Sequence, residues 1–134
     1  MLIKDTESPV PKKKKFIPES EITLYDCNGE SADTEFIPLK KLPGGKTLLR
    51  AILYTGRQHQ IRATLCSLGF PLVGDKLYGR DERIFLKISS RSITPEDIAM
   101  LGMERQALHA SKVTFYHPFS NEELTFESPC PFGS

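Results

Sequence analysis

Two arginines, a histidine and two glutamines crowd into the stretch Tyr54-Thr55-Gly56-Arg57-Gln58-His59-Gln60-Ile61-Arg62. Arg57 stands where a helix would begin. The positive end of a helix dipole disfavours a cation there but favours an anion nearby. Arg62 falls beside an apolar stripe, near His59 and Cys66 on the helical wheel, where it can leave the core and point into a site. The bland alternative for Arg62 is a surface arginine paired to a local acid. For His59 it is a residue that satisfies backbone groups beside a helix start. Asp75, in the glycine-bounded loop Gly74 to Gly79, is the tempting nucleophile. Short acids in such loops usually accept from nearby backbone N–H groups instead, and that is the role expected here. His109 and His117 have no metal-ligand spacing to each other or to the cysteines, and both read as structural. No Ser-His-Asp or Cys-His arrangement emerges from the spacings.

These residues need a strand feeding directly into a helix. Thr47 to Tyr54 is apolar on both faces (Leu49, Ala51 and Leu53 against Leu48 and Ile52), the pattern of a central strand. The helix is expected over Gly56 to Leu68. Thr55 and Gln58 would form its capping box, Ile61, Leu65 and Leu68 its apolar stripe, and Gly69 with Pro71 its end. Strands are also expected at Lys15 to Ile17, at Glu21 to Asp26 before an Asn28-Gly29 turn, and at Thr34 to Lys40. Pro38 marks an edge or a bulge in the last of these. Tyr78 should pack on the sheet and Leu108 in the core. Thr94-Pro95-Glu96-Asp97 is a strong helix start within an excursion over residues 80–106. Ala110 to Tyr116 and Glu122 to Glu127 read as a hairpin with Val113, Phe115, Leu124 and Phe126 inward. The fold class is therefore α+β, with a mixed, mainly antiparallel sheet and flanking helices. Residues 1–14, with Pro9, Pro11 and the start of the Lys12 to Lys15 run, read as a flexible basic arm before a domain over residues 15–134.

A hydrophobic fraction of 39% over 134 residues supports one modest core rather than disorder. A net charge of +1 means that any nucleic-acid binding must come from local clustering. Cys27, Cys66 and Cys130 are odd in number and far apart, which argues against a disulfide framework and fits a reducing compartment. No apolar run is long enough to span a membrane, so a soluble, cytoplasmic protein is expected.

The spelling carries a resemblance. Thr55 to Arg62 (TGRQHQIR), Gly74-Asp75-Lys76-Leu77-Tyr78-Gly79, Leu108-His109-Ala110, Phe115-Tyr116-His117-Pro118 and Ser128-Pro129-Cys130-Pro131 follow in order over residues 31–131. This resembles the C-terminal half of an RluA-type RNA pseudouridine synthase. The resemblance implies isomerisation of uridine to pseudouridine in ribosomal or transfer RNA, without metal or redox cofactor. It also implies an ionised aspartate acting on the nucleoside, a tyrosine nearby, and a basic residue paired to the aspartate. The basic residue closes TGRxHQ[IL]R and is Arg62 here. The family's H-R-L-D-x-x-T-S-G segment and its active-site tyrosine have no counterpart in the chain. The expectation is thus a partial catalytic domain, inactive alone. Arg62 would lack its carboxylate and point into an open cleft, while Arg57, His59, Gln60, Lys12 and Lys13 would meet RNA. The rival expectation is a non-catalytic RNA-binding remnant of the same fold. A cut sheet would leave apolar surface and an open edge that invite self-association.

Overall fold

The computed structural model describes residues 1–24 and 29–133, with the backbone alone for residues 22–24. The architecture is α+β. Strands β1 (Leu2–Lys4) and β2 (Lys14–Phe16) pair, and a 3₁₀ helix follows at Glu19–Leu24. Strands β3 (Thr34–Leu42) and β4 (Lys46–Leu53) form a long hairpin. Helices α1 (Gln60–Ser67), α2 (Arg83–Ser90) and α3 (Pro95–Leu101) come next, then the hairpin of β5 (Lys112–Tyr116) and β6 (Glu123–Glu127). All three pairs are antiparallel, and among the described residues they do not merge into one sheet.

The N-terminal segment departs from the expected arm. Leu2, Ile3, Val10 and Ile17 are buried, with Leu2 and Ile17 only 1% exposed. Leu2, Val10, Ala63, Leu77 and Tyr78 form the core, flanked by Phe16, Ala32, Cys66 and Phe85. The lysines and prolines suggested a solvated tail, but the few apolar residues between them decide the packing. Two of the lysines are neutralised: Lys13 pairs with Glu82 at 2.8 Å and Lys14 with Glu30. The strand expected over Glu21 to Asp26 is replaced by the 3₁₀ turn as far as Leu24; Tyr25 and Asp26, and Asn28 of the expected turn, lie outside the described residues.

Pro38 does sit at a bulge, the register shifting between Pro38 and Lys40 so that Leu39 has no partner. The turn that follows uses Gly44 and Gly45 at φ +74° and +70°, a region costly to any residue with a Cβ. Strand β4 is not central. It pairs on one side only, and none of its residues is buried. Its two apolar faces suit a covered strand, but the described residues supply no cover.

The helix starts four residues later than its expected Gly56. His59 is its N-cap, in the left-handed region at φ 59°, and makes no side-chain cap bond. Thr55 cannot cap because its hydroxyl accepts from the Asp33 N–H at 2.8 Å and donates to Gln60 Oε1 at 2.9 Å. The buried face is Gln60, Ala63, Thr64 and Leu65, while Leu68 lies 48% exposed, so the expected stripe is rotated toward smaller residues. The helix end is as read. Gly69 at φ +87° donates to Cys66 O, and Phe70 N–H donates to Leu65 O, a Schellman closure.

Helix α3 begins as expected. Thr94 caps it, Pro95 holds the first turn, and Thr94 and Asp97 exchange bonds of 3.2 and 2.9 Å. The hairpin β5–β6 also forms, with the Phe115 and Phe126 rings stacked at 5.9 Å. Its expected inward face is uncovered: Val113, Phe115 and Phe126 are 53%, 43% and 56% exposed. Leu108, expected in the core, is 39% exposed. The chain exposes 9711 Å², against roughly 7,100 Å² for a compact monomer of its mass.

Candidate functional site: an arginine clamp beside a histidine–tyrosine pair

Gln60 organises the approach to the site. It is 3% exposed, and its amide is fully used. Its Oε1 accepts from Arg57 N–H and Thr55 Oγ1, both at 2.9 Å, and its Nε2 donates to Asp33 O at 3.1 Å and Thr34 Oγ1 at 2.7 Å. Gln60 therefore staples the Thr55–Arg57 loop to the start of β3. It has no group left for RNA, which corrects the expected contact.

Arg62 leaves the same helix on the side of the Gly74–Gly79 loop. Its Nε donates to Asp75 Oδ2 at 2.7 Å and its Nη2 to Asp75 Oδ1 at 2.8 Å. This is a bidentate fork, the strong form of the pair. Asp75 is wholly buried and also accepts from Leu77 N–H at 3.0 Å and Tyr78 N–H at 2.9 Å. Burial pushes its pKa up, but the Arg62 bonds, with the backbone bonds of Tyr78 and Leu77, outweigh that and hold it below the ordinary aspartate value. The Asp75 bond in turn raises Arg62 against the opposing effect of burial. The expectation of a partnerless Arg62 in an open cleft is thus overturned. Its partner is the acid expected only to bond backbone, and Asp75 does both.

The loop is held in place by contacts that require glycine. Gly74 lies at φ +77° and a Cβ there would fall 2.0 Å from Arg105 O; a Cβ at Gly79 would fall 2.1 Å from Asp75 O. Gly74 N–H also donates to Leu101 O at 2.9 Å, docking the loop on the end of α3.

Tyr78 completes the cluster. It is 1% exposed, and its ring packs under the Arg62 guanidinium at 5.0 Å. Its hydroxyl accepts from Lys14 N–H of β2 at 2.9 Å and lies 3.0 Å from His59 Nδ1. The His59 and Tyr78 rings meet edge to face at 5.4 Å. Burial, then the Arg62 charge, pull the His59 pKa below the ordinary histidine value; Asp75 opposes this weakly, and Lys14 and Lys12 add to it. Burial raises Tyr78.

The structure brings Arg62 and His59 together around Tyr78, with Lys13 Nζ 5.9 Å from the same ring and the Lys12 charge also acting on His59. Arg57 is exposed and its Nε donates to Ser31 O at 2.9 Å. Lys12 is exposed, whereas Lys13 is bound to Glu82 with its side chain 15% exposed. His109 Nε2 lies 3.3 Å from Ser128 O, and His117 Nδ1 accepts from Phe119 and Ser120 N–H groups, so both serve the backbone as expected. Sequence reasoning missed Asp75 as the Arg62 partner and Tyr78 as the His59 partner. The available signal was the pair of glycines bounding the loop, which brings its short acid against a helix.

No sequence-family profile matches the chain. Individual relatives do. Ribosomal large subunit pseudouridine synthase D of Nitrosomonas europaea is 42% identical over 104 residues, which is 78% of this chain and 27% of that protein. The uncharacterized RNA pseudouridine synthase YhcT of Bacillus subtilis is 36% identical over 104 residues, 77% of this chain and 28% of its own length. Dual-specificity RNA pseudouridine synthase RluA of Haemophilus influenzae is 32% identical over 104 residues, 78% of this chain and 40% of its own. All three are pseudouridine synthases, and that is the class to which the likeness points. Within it, the chain belongs to the RluA-type family. It spans between about a quarter and two fifths of the length of these relatives.

Proposed function

We propose that this chain is the C-terminal portion of an enzyme that isomerises uridine to pseudouridine in structured ribosomal or transfer RNA, working in the cytoplasm. The observation that carries the reading is identity of 32–42% spread over 104 residues to enzymes of that class. The chemistry of the site agrees with it. Isomerisation breaks the bond from ribose to N1 of uracil and remakes it to C5. In this reading an ionised aspartate from the remainder of the enzyme acts on the nucleoside. Arg62 has two nitrogens on Asp75, while its Nη1 has no hydrogen-bond partner among the described residues. That third nitrogen is the one available to a second carboxylate. A guanidinium can serve two acids at once because its donors diverge in one plane and it does not deprotonate. Asp75 then fixes the orientation of the fork, and Nη1 keeps the incoming aspartate charged. Arg57 and Lys12, both exposed, are the cations placed to meet phosphates. The uncovered faces of β4 and of the β5–β6 hairpin are the surfaces the rest of the enzyme would cover, and alone they favour self-association.

The test is release of tritium from RNA labelled at uridine C5. The chain alone should give none. A chimera carrying this chain in place of the matching segment of the Nitrosomonas europaea enzyme should restore release, and Arg62→Ala in the chimera should abolish it. Turnover by the chain alone would overturn the partial-enzyme reading, and a folded chimera that is inactive would overturn the enzymatic one.

A further inference from the structure

The Tyr78 hydroxyl is buried and bonded on two sides, and this fixes the proton on a neighbouring ring. Lys14 N–H is a backbone donor, so toward Lys14 the hydroxyl oxygen acts as acceptor at 2.9 Å. The hydroxyl proton then needs an acceptor of its own, because a buried donor left unmet is costly. Among the described residues His59 Nδ1, at 3.0 Å, is the atom in position. Nδ1 must therefore be bare, and a neutral imidazole with a bare Nδ1 carries its proton on Nε2. Nε2 has no hydrogen-bond partner among the described residues, and His59 is only half-buried. The ring cannot turn away freely. It is packed edge to face on Tyr78, on a residue fixed at φ 59° as the N-cap of α1. We propose that His59 is a neutral, orientation-locked hydrogen-bond donor that offers Nε2–H to an acceptor oxygen of the RNA substrate, with Tyr78 as the positioning residue that sets its tautomer.

The surroundings keep the ring neutral. Arg62, Lys14 and Lys12 face it with positive charge, Asp75 alone opposes them, and Asp75 is already committed to Arg62. A neutral donor differs from the arginines in its selectivity. It binds a carbonyl or hydroxyl oxygen of a nucleotide without demanding a phosphate, so it adds recognition of the nucleotide itself to the charge-driven contacts. The acceptor assignment rests on the RNA reading above; the tautomer does not.

Two measurements separate them. Long-range proton–nitrogen correlation spectra of the intact chain, with His59 assigned by comparison with His59→Asn, should show the Nε2–H tautomer. They should also show a ring whose midpoint lies below the ordinary histidine value. A dominant Nδ1–H tautomer or an ordinary titration would overturn the proposal without any RNA present. Binding is then read by gel shift with a uridine-bearing RNA stem-loop. Asparagine tolerates the left-handed backbone and can still accept from Tyr78, but it does not reach the Nε2 position. His59→Asn should weaken binding about tenfold, while His59→Gln, whose amide nitrogen reaches that position, should recover most of it, as expected for one hydrogen bond. Equal binding by wild type and His59→Asn would overturn the donor role. Absence of binding by wild type would overturn both the RNA reading and the acceptor assigned here, with the tautomer still measured.

Discussion

Replacing Arg62 by Ala should destabilise the chain by about 3–5 kcal/mol, the range for removing one member of a buried ion pair. The figure follows from what would be left behind. Asp75 has 0% side-chain exposure and Arg62 only 17%, so solvent screens the pair little. Without Arg62 the carboxylate keeps only its two backbone bonds, from Leu77 and Tyr78, both to Oδ1, and Oδ2 loses the partner that it has at 2.7 Å. The charge cannot escape to water without opening the loop, and the loop is closed against Arg105 and Leu101. A domain of ordinary stability has about 5–15 kcal/mol in total, so such a loss is a large part of the whole and shifts the unfolding midpoint clearly. The chain has no tryptophan, so urea unfolding should be followed by circular dichroism. The pH dependence supplies a second check. Asp75 has a folded pKa below its ordinary value, so its contribution is complete above the unfolded value and disappears as pH falls through the folded one. The gap between wild type and Arg62→Ala should therefore be full at neutral pH and narrow on acidification below the ordinary aspartate range. The double replacement Arg62→Met with Asp75→Asn should cost less than Arg62→Ala alone, because it leaves no unpaired buried charge. A loss under about 1 kcal/mol for Arg62→Ala, the value for an exposed pair, would refute this reasoning.

Gln60→Leu should cost about 1–3 kcal/mol, since it leaves Arg57 N–H without its acceptor and cuts the bonds to Asp33 O and Thr34 Oγ1 that staple the loop to β3, and hydrogen exchange at Arg57 should accelerate. Gly74→Ala should cost more than the roughly 1 kcal/mol of a helix-interior glycine change, because φ is +77° and the new Cβ would lie 2.0 Å from Arg105 O; thermal melting of the variant measures it. Thr94→Ala should cost about 1 kcal/mol through loss of the α3 cap, again by melting.

Local chemistry was legible in the sequence wherever one or two neighbouring residues decide the backbone. Thr94-Pro95, Gly69 and Pro38 each specify a cap, a helix end or a bulge through their own sterics and bonding, and each does so here. The start of α1 was misread because the deciding contact is not local. Thr55 has the right side chain to cap, but Asp33, which precedes β3, takes that hydroxyl, and Gln60 turns back to hold the loop. The arm was misread for a related reason. Four lysines and two prolines outweigh Leu2, Ile3 and Val10 in any count, but burial is decided by where the apolar residues land: all three are buried, and Leu2 and Val10 land on Ala63, Leu77 and Tyr78.

The site shows the same division. Arg62 was singled out by its place beside the helix stripe and given its role by the TGRxHQ[IL]R resemblance, and the fork geometry of its bond follows from its chemistry. Its partner was assigned to a missing segment because Asp75 already had a sufficient local occupation. Both Asp75 oxygens are in fact engaged, one by Leu77, Tyr78 and Arg62 together and the other by Arg62 alone. One buried carboxylate thus closes the Gly74–Gly79 loop and orients the arginine. Through the backbone of Tyr78 it also sets the hydroxyl that meets His59 and β2. Among the described residues, the N-terminal strand, the helix and the loop have no continuous sheet to align them. They are aligned by the apolar packing of Leu2, Val10, Ala63, Leu77 and Tyr78 and by the polar contacts that converge on Asp75 and the Tyr78 hydroxyl beside it.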